Sequence, residues 1–130
     1  MKTLHGFFSH GFPNCFHMGP LQNAITANFP HALDEQAHHI TDIIQHAKQN
    51  EARSVEPTTE AEVEWVAEIR RRAVFHARFQ RECTPGYYNN EGHPEAGSGF
   101  AGEQFAALPQ KYFALIRRWR NEGMKGLKLG

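Results

Sequence analysis

The sequence predicts a mostly α-helical chain with one short strand near its N-terminus. Apolar residues recur at helical spacing in three stretches, near 29–49, 59–83 and 105–123. Capping or breaking residues bound each stretch. A compact apolar run of Cys15, Phe16 and Met18 sits between Pro13 and Gly19-Pro20, which reads as a short buried strand over 14–18.

Residues 1–27 hold that strand, a turn and a loop. Leu4 to His10 is apolar without helical period and reads as a surface loop or short strand. A buried strand needs backbone partners, and none can be named within this chain, so the sequence points to a sheet completed by residues outside it. Gly19-Pro20 ends the strand in a tight turn.

The first helix occupies 28–50, with Asn28 as N-cap and Pro30 in the first turn. Leu33, Ala37, Ile40, Ile44 and Ala47 form its predicted apolar face. Asp34 and Glu35 lie toward its N-terminus and Lys48 toward its C-terminus, as the helix dipole favours. After a short connection at Ser54-Val55-Glu56-Pro57, Thr59-x-x-Glu62 reads as a capping box opening a second helix over 58–83. Val63, Val66, Ile69, Ala73 and Ala77 give its inner face, flanked by Trp65, Arg72 and Phe79. Thr84-Pro85-Gly86 stops it. Residues 84–104 form a long polar, glycine-rich loop. The third helix, over 105–123, carries Phe105, Leu108, Tyr112, Leu115, Ile116 and Trp119, and Gly123 ends it. The tail 124–130 alternates like an edge strand.

Composition narrows the function classes. Net charge is zero with histidine neutral, so no broad nucleic-acid or acidic-membrane partner is implied. Arg70 to Arg72, and Arg117, Arg118 and Arg120, are short basic clusters on helix surfaces, the first balanced by Glu64, Glu68 and Glu82. No apolar run reaches transmembrane length, and Met1 to Leu4 lacks a signal-peptide core. Cys15 and Cys83 have no CxxC partner and read as reduced thiols of a cytoplasmic protein, Cys15 packed within the strand. His38, Asp42 and His46 share a helix stripe, but no metal motif is present. That stripe reads as a solvated face, with Asp42 raising the pKa of either histidine. Gly97-x-Gly99-x-x-Gly102 lacks a preceding strand and an acidic residue about 20 residues on at a strand end, so it reads as a flexible connection rather than a nucleotide-binding turn.

Taken in order, GFPNCF, the GP turn, NFPHALDEQ, PTTEAEVEWV and CTPGYYNNEG resemble the C-terminal part of class B flavin-dependent monooxygenases, the Baeyer–Villiger type. The resemblance implies the C-terminal piece of an α/β flavoprotein with two Rossmann-like dinucleotide-binding domains, so that 1–130 is a single partial domain. It implies an enzyme that uses NADPH to reduce FAD, forms a flavin C4a-peroxide and inserts an oxygen atom into a ketone, with this chain alone inactive. Gly19, Pro20, Asn28 and Phe29 would lie near the flavin. Ala24, Ile25 and Thr26 would face substrate. Tyr87 and Asn90 would contact the nicotinamide cofactor, in a loop where many relatives carry a tryptophan that this chain lacks. The resemblance gives the chain itself no catalytic residue. The competing reading is a small non-catalytic helical interaction module.

Overall fold

The first helix, α1, spans Phe29–Gln49, with the bounds the sequence predicts. Asn28 caps it: its side-chain oxygen accepts from the His31 amide at 3.2 Å. Pro30 sits in the first turn, where its missing N–H costs little. The computed structural model describes residues 1–73, 81–93, 96 and 103–130. The inner face of α1 is rotated from the predicted one. Ala32, Gln36, His39, Ile43 and Ala47 are buried, while Ala37 and Ile44 are exposed. Two polar residues, Gln36 and His39, turn inward because each has a specific partner, Gly19 and Arg120 respectively.

A short strand, β1, follows at Val55–Pro57, where only a connection is predicted. The second helix, α2, spans Thr59–Ala73. Thr58 caps it, its hydroxyl accepting from the Ala61 amide at 3.2 Å. The predicted capping box does not form. Glu62 instead leaves the helix start and accepts from the His10 amide at 2.6 Å. Trp65, Val66 and Ile69 are buried, but Val63 is exposed, so the inner face again differs from the predicted one. Ala77 and Phe79, expected to extend that face, lie outside the described residues.

A 3-10 turn covers Tyr87–Gly92. The third helix, α3, spans Pro109–Asn121, shorter than predicted. Phe105 is buried ahead of it and Leu108 is exposed at its start, because Pro109 sets the first turn. Gly123 follows at φ 89°, a conformation that favours glycine. The tail forms β2, Leu127–Leu129, which pairs antiparallel with β1 in the register Val55–Leu129, Glu56–Lys128 and Pro57–Leu127. Lys128 donates to Glu56 across the pair at 2.9 Å. That bond and the Gly11 amide hold the Glu56 carboxyl below the usual carboxylate range.

The predicted strand over 14–18 is not a regular strand. Asn14 has φ 60° and lies in a turn, and its side chain docks on Val55 and Arg53. Pairing is limited to isolated bridges between Leu4 and Phe8 and between Phe8 and Phe16. Cys15 and Met18 are consequently exposed, against the expected buried packing. The segment before them moves the other way. Leu4, Phe7 and Phe8, expected at the surface, are buried in the core with Trp65, Phe105, Tyr112 and Ile116. Each such side chain contributes about 1.5–3 kcal/mol of burial.

Helices α1 and α3 pack together along a charged seam. Arg117 pairs with Glu35 at 3.3 Å and Arg120 with Asp42 at 2.7 Å. Asp42 is thus committed to Arg120, not to His38 or His46, and His38 lies 3.8 Å from Asp34. On α2, Glu68 binds Arg71 and Arg72. Its burial opposes ionisation, but the two guanidinium groups outweigh it and hold the carboxyl below its usual range. Arg72 also lies over the Phe105 ring at 4.2 Å.

Candidate functional site

The segment from Gly19 to Phe29 is held in place mainly by carboxamides. Gln36 reaches from α1 to the Gly19 peptide and bonds it twice. Its Oε1 accepts from the Gly19 N–H at 3.0 Å and its Nε2 donates to the Gly19 carbonyl at 3.1 Å. Asn23 Nδ2 donates to the same carbonyl. Both side chains are almost completely buried. With its N–H and C=O held on one side, Gly19 has φ 152° and turns its Cα to open space: a Cβ there would meet nothing within 4 Å. Pro20 is exposed beside it.

Three further contacts fix the loop after the turn. Gln22 Oε1 accepts from the Thr3 amide at 3.1 Å and its hydroxyl at 2.6 Å. Trp65 Nε1 donates to the Gln22 carbonyl at 3.1 Å. The backbone at 103–105 returns to the same place, with Gln22 N–H bonded to the Glu103 carbonyl at 3.1 Å and Phe105 N–H to the Asn23 carbonyl at 3.0 Å. The loop therefore leaves the core with its base rigid.

Of the three residues expected to face substrate, Ala24 is packed in the core, whereas Ile25 is exposed and Thr26 half-buried. Thr26 Oγ1 accepts from the Asn28 amide at 3.2 Å, which aims the chain into α1. Asn28 is exposed, its side chain spent on the cap. Phe29 is exposed, and among the described residues its amide has no acceptor. The α1 N-terminus thus presents an uncommitted N–H and the positive end of its dipole beside an exposed aromatic ring.

Tyr87 and Asn90 lie in the separate 3-10 turn. Asn89, buried, organises it. Its oxygen accepts from the Gly86 amide at 2.8 Å, and its nitrogen donates to the Cys83 and Thr84 carbonyls at 3.2 Å each. Tyr87 is exposed, edge-on to Tyr88 at 5.6 Å. Asn90 has φ 53° and donates to the His93 carbonyl at 2.7 Å, so one half of its amide is used inside the turn. Gly97, Gly99 and Gly102 lie outside the described residues.

Behind the Gly19 turn lies a buried histidine pair that the sequence did not reveal. His39 Nδ1 is 2.9 Å from Arg120 Nη1, and its Nε2 has no hydrogen-bond partner among the described residues. His5 stands 5.8 Å from the His39 ring, edge-on to Trp65 and Trp119. Burial lowers His5 to about 3. Burial, then the charges of His5 and Arg120, lowers His39 to about 2. Both are neutral at physiological pH and serve the core.

The segment presents a turn with its outer side clear, a loop whose base is bonded to the core and a helix start whose first N–H has no acceptor among the described residues. The chain is 44% identical over 126 residues to a Baeyer–Villiger monooxygenase of Streptomyces coelicolor, covering 97% of this chain and 20% of that protein. It superposes on the polycyclic ketone monooxygenase of the thermophilic fungus Thermothelomyces thermophila with TM-score 0.84 and 32% identity, covering 100% of this chain and 21% of that one. Cyclohexanone monooxygenase from Rhodococcus sp. Phi1, solved bound to NADP+, shares the fold at TM-score 0.76 and 24% identity, over 98% of this chain and 23% of that one. No family model matches the chain. Over nearly its whole length the chain is similar to Baeyer–Villiger monooxygenases, and it spans about a fifth of the length of the relatives it matches.

Proposed function

We propose that residues 1–130 are the C-terminal part of an FAD- and NADPH-dependent monooxygenase that inserts an oxygen atom into a ketone. The observation that carries this reading is the end-to-end match to one fifth of a Baeyer–Villiger enzyme at 44% identity. When bound, the flavin supplies the oxygen-transfer chemistry and NADPH the electrons. This chain supplies a wall. Gly19 and Pro20 leave room for the flat ring, and the α1 N-terminus, through Asn28 and the Phe29 amide, favours negative charge at its edge. Ile25 and Thr26 face the ketone, with Ala24 anchoring the loop behind them. Tyr87 offers an aromatic face and Asn90 an amide oxygen to the nicotinamide. The chain is one partial domain that packs on N-terminal domains in the cytoplasm, and it does not turn over alone. Exposed Phe12, Met18, Phe29 and Leu108 are apolar surface available for that packing.

The test is a graft. Residues 1–130 replace the matching fifth of the Streptomyces coelicolor enzyme, and bound FAD and ketone-dependent NADPH oxidation are measured. A flavin-loaded graft whose NADPH oxidation yields ester or lactone is the expected result. A folded graft that holds no flavin overturns the reading and leaves the helical interaction module in its place.

A further inference from the structure

We infer that Gln36 is a positioning residue, which with Asn23 sets the Gly19–Pro20 turn relative to the loop carrying Ile25 and Thr26. The inference rests on the proposed function above. One carbonyl oxygen, that of Gly19, receives two side-chain amides from different elements. Gln36 comes from α1 and Asn23 from the start of the loop. Gln36 also takes the Gly19 N–H, so the Gly19 backbone is gripped at both polar ends by a single side chain. A carboxamide accepts and donates in this side-by-side manner without needing to take up a proton, as a carboxyl would. Asn or Asp at position 36 would be too short for the same reach from the same backbone, and Met would keep the volume without either bond.

The arrangement is costly to build for packing alone. A buried polar side chain on the inner face of a helix needs every bond satisfied, and an apolar residue would serve the core as well. Gln36 gives up apolar burial on α1 to hold a peptide whose other side is empty. The turn that it holds faces the predicted flavin, and Asn23 is the residue before the loop that faces substrate. The clamp therefore fixes the separation between the two reactants. Misplacement by about 1 Å between reacting groups costs roughly a hundredfold in rate, so such a clamp acts on chemistry rather than on binding.

Two substitutions test this. Q36M removes both bonds at similar volume. Q36E keeps an acceptor for the Gly19 N–H but loses the donor to the Gly19 carbonyl until it is protonated. A buried carboxyl against a carbonyl oxygen has a raised pKa, so Q36E regains the donor as pH falls. The first readout is hydrogen exchange of the Gly19 amide in the 130-residue chain. We expect exchange about tenfold faster or more in Q36M. The second, in the grafted enzyme, is the share of NADPH oxidation that ends as hydrogen peroxide instead of oxygenated ketone. Q36M should raise that share and lower kcat roughly tenfold, with KM for NADPH unchanged. Q36E should regain coupling as pH is lowered, which a volume effect would not produce. Unchanged Gly19 exchange in Q36M, or an unchanged peroxide share in a flavin-loaded graft, overturns the inference. If the unsubstituted graft takes up no flavin, the proposed function fails and the clamp is judged on the exchange measurement alone.

Discussion

Acid should unfold this chain through two histidines before its carboxylates matter. His5 and His39 titrate at about 3 and about 2 when folded, against 6.5 when exposed. Because their folded values are depressed, the unfolded chain binds protons first. Stability is therefore complete above pH 6.5 and falls as pH drops below it. At about pH 4.5 the medium is two units below the unfolded pKa of each histidine, and the two together cost about 5 kcal/mol. That is a large share of the roughly 5–15 kcal/mol that holds a small domain. His17, half-buried and also lowered by burial, adds a smaller loss in the same window. Glu56 and Glu68, held below their ordinary range, contribute only at lower pH. Urea unfolding followed by tryptophan fluorescence reads this directly, since Trp65 and Trp119 both touch His5. With about two protons taken up on unfolding, stability should fall by about 3 kcal/mol per pH unit toward pH 4.5. His39→Gln keeps an acceptor for Arg120 and removes one titration, so the slope should fall by about half. A slope that H39Q leaves unchanged, or stability flat to pH 4.5, refutes the reasoning.

Three other substitutions have defined outcomes. Tyr112→Phe strips the hydroxyl that donates to the buried His5 carbonyl at 2.6 Å and should cost about 1–3 kcal/mol in urea unfolding. Asn28→Ala removes the α1 cap and should cost about 1 kcal/mol, with exchange of the His31 amide rising before any core amide responds. Gly6→Ala places a Cβ against the Leu21 carbonyl and Asn23 at φ 82°, and should destabilise by about 3 kcal/mol. A Gly6→Ala protein with native stability would show that the 1–23 segment can shift away from the loop that it supports.

Elements set by local chemistry were legible in the sequence. Asn28 with Pro30 marked the start of α1, and the stop after α3 followed from Gly123, because caps and breakers act within a turn of where they sit. Which side of a helix faces inward was not legible. Gln36 and His39 look solvent-facing until Gly19 and Arg120 are known to meet them, and those partners are 17 and 81 residues away. The same limit hid the role of Glu62, whose capping-box spacing is correct but whose carboxylate is taken by His10, 52 residues earlier. Apolar content alone suggested a strand at 14–18. The left-handed Asn14 and its dock on Val55 decided otherwise. The candidate segment was singled out through the order of its motifs. Its internal logic, the carboxamides and the backbone return at 103–105, has no local pattern to read.

The bond from Tyr112 to His5 crosses 107 residues, and the Gln22–Glu103 pairing crosses 81, while Val55 pairs with Leu129 at the far end of the chain. A chain this helical would ordinarily assemble fast, from neighbours in sequence. Here the aromatic centre cannot close until α3 exists, so the search over long loops sets the pace and folding should be slow for its helix content. During synthesis Leu4, Phe7 and Phe8 emerge well before Tyr112 and Ile116 and must wait for these partners, an interval in which their apolar surface is open to aggregation.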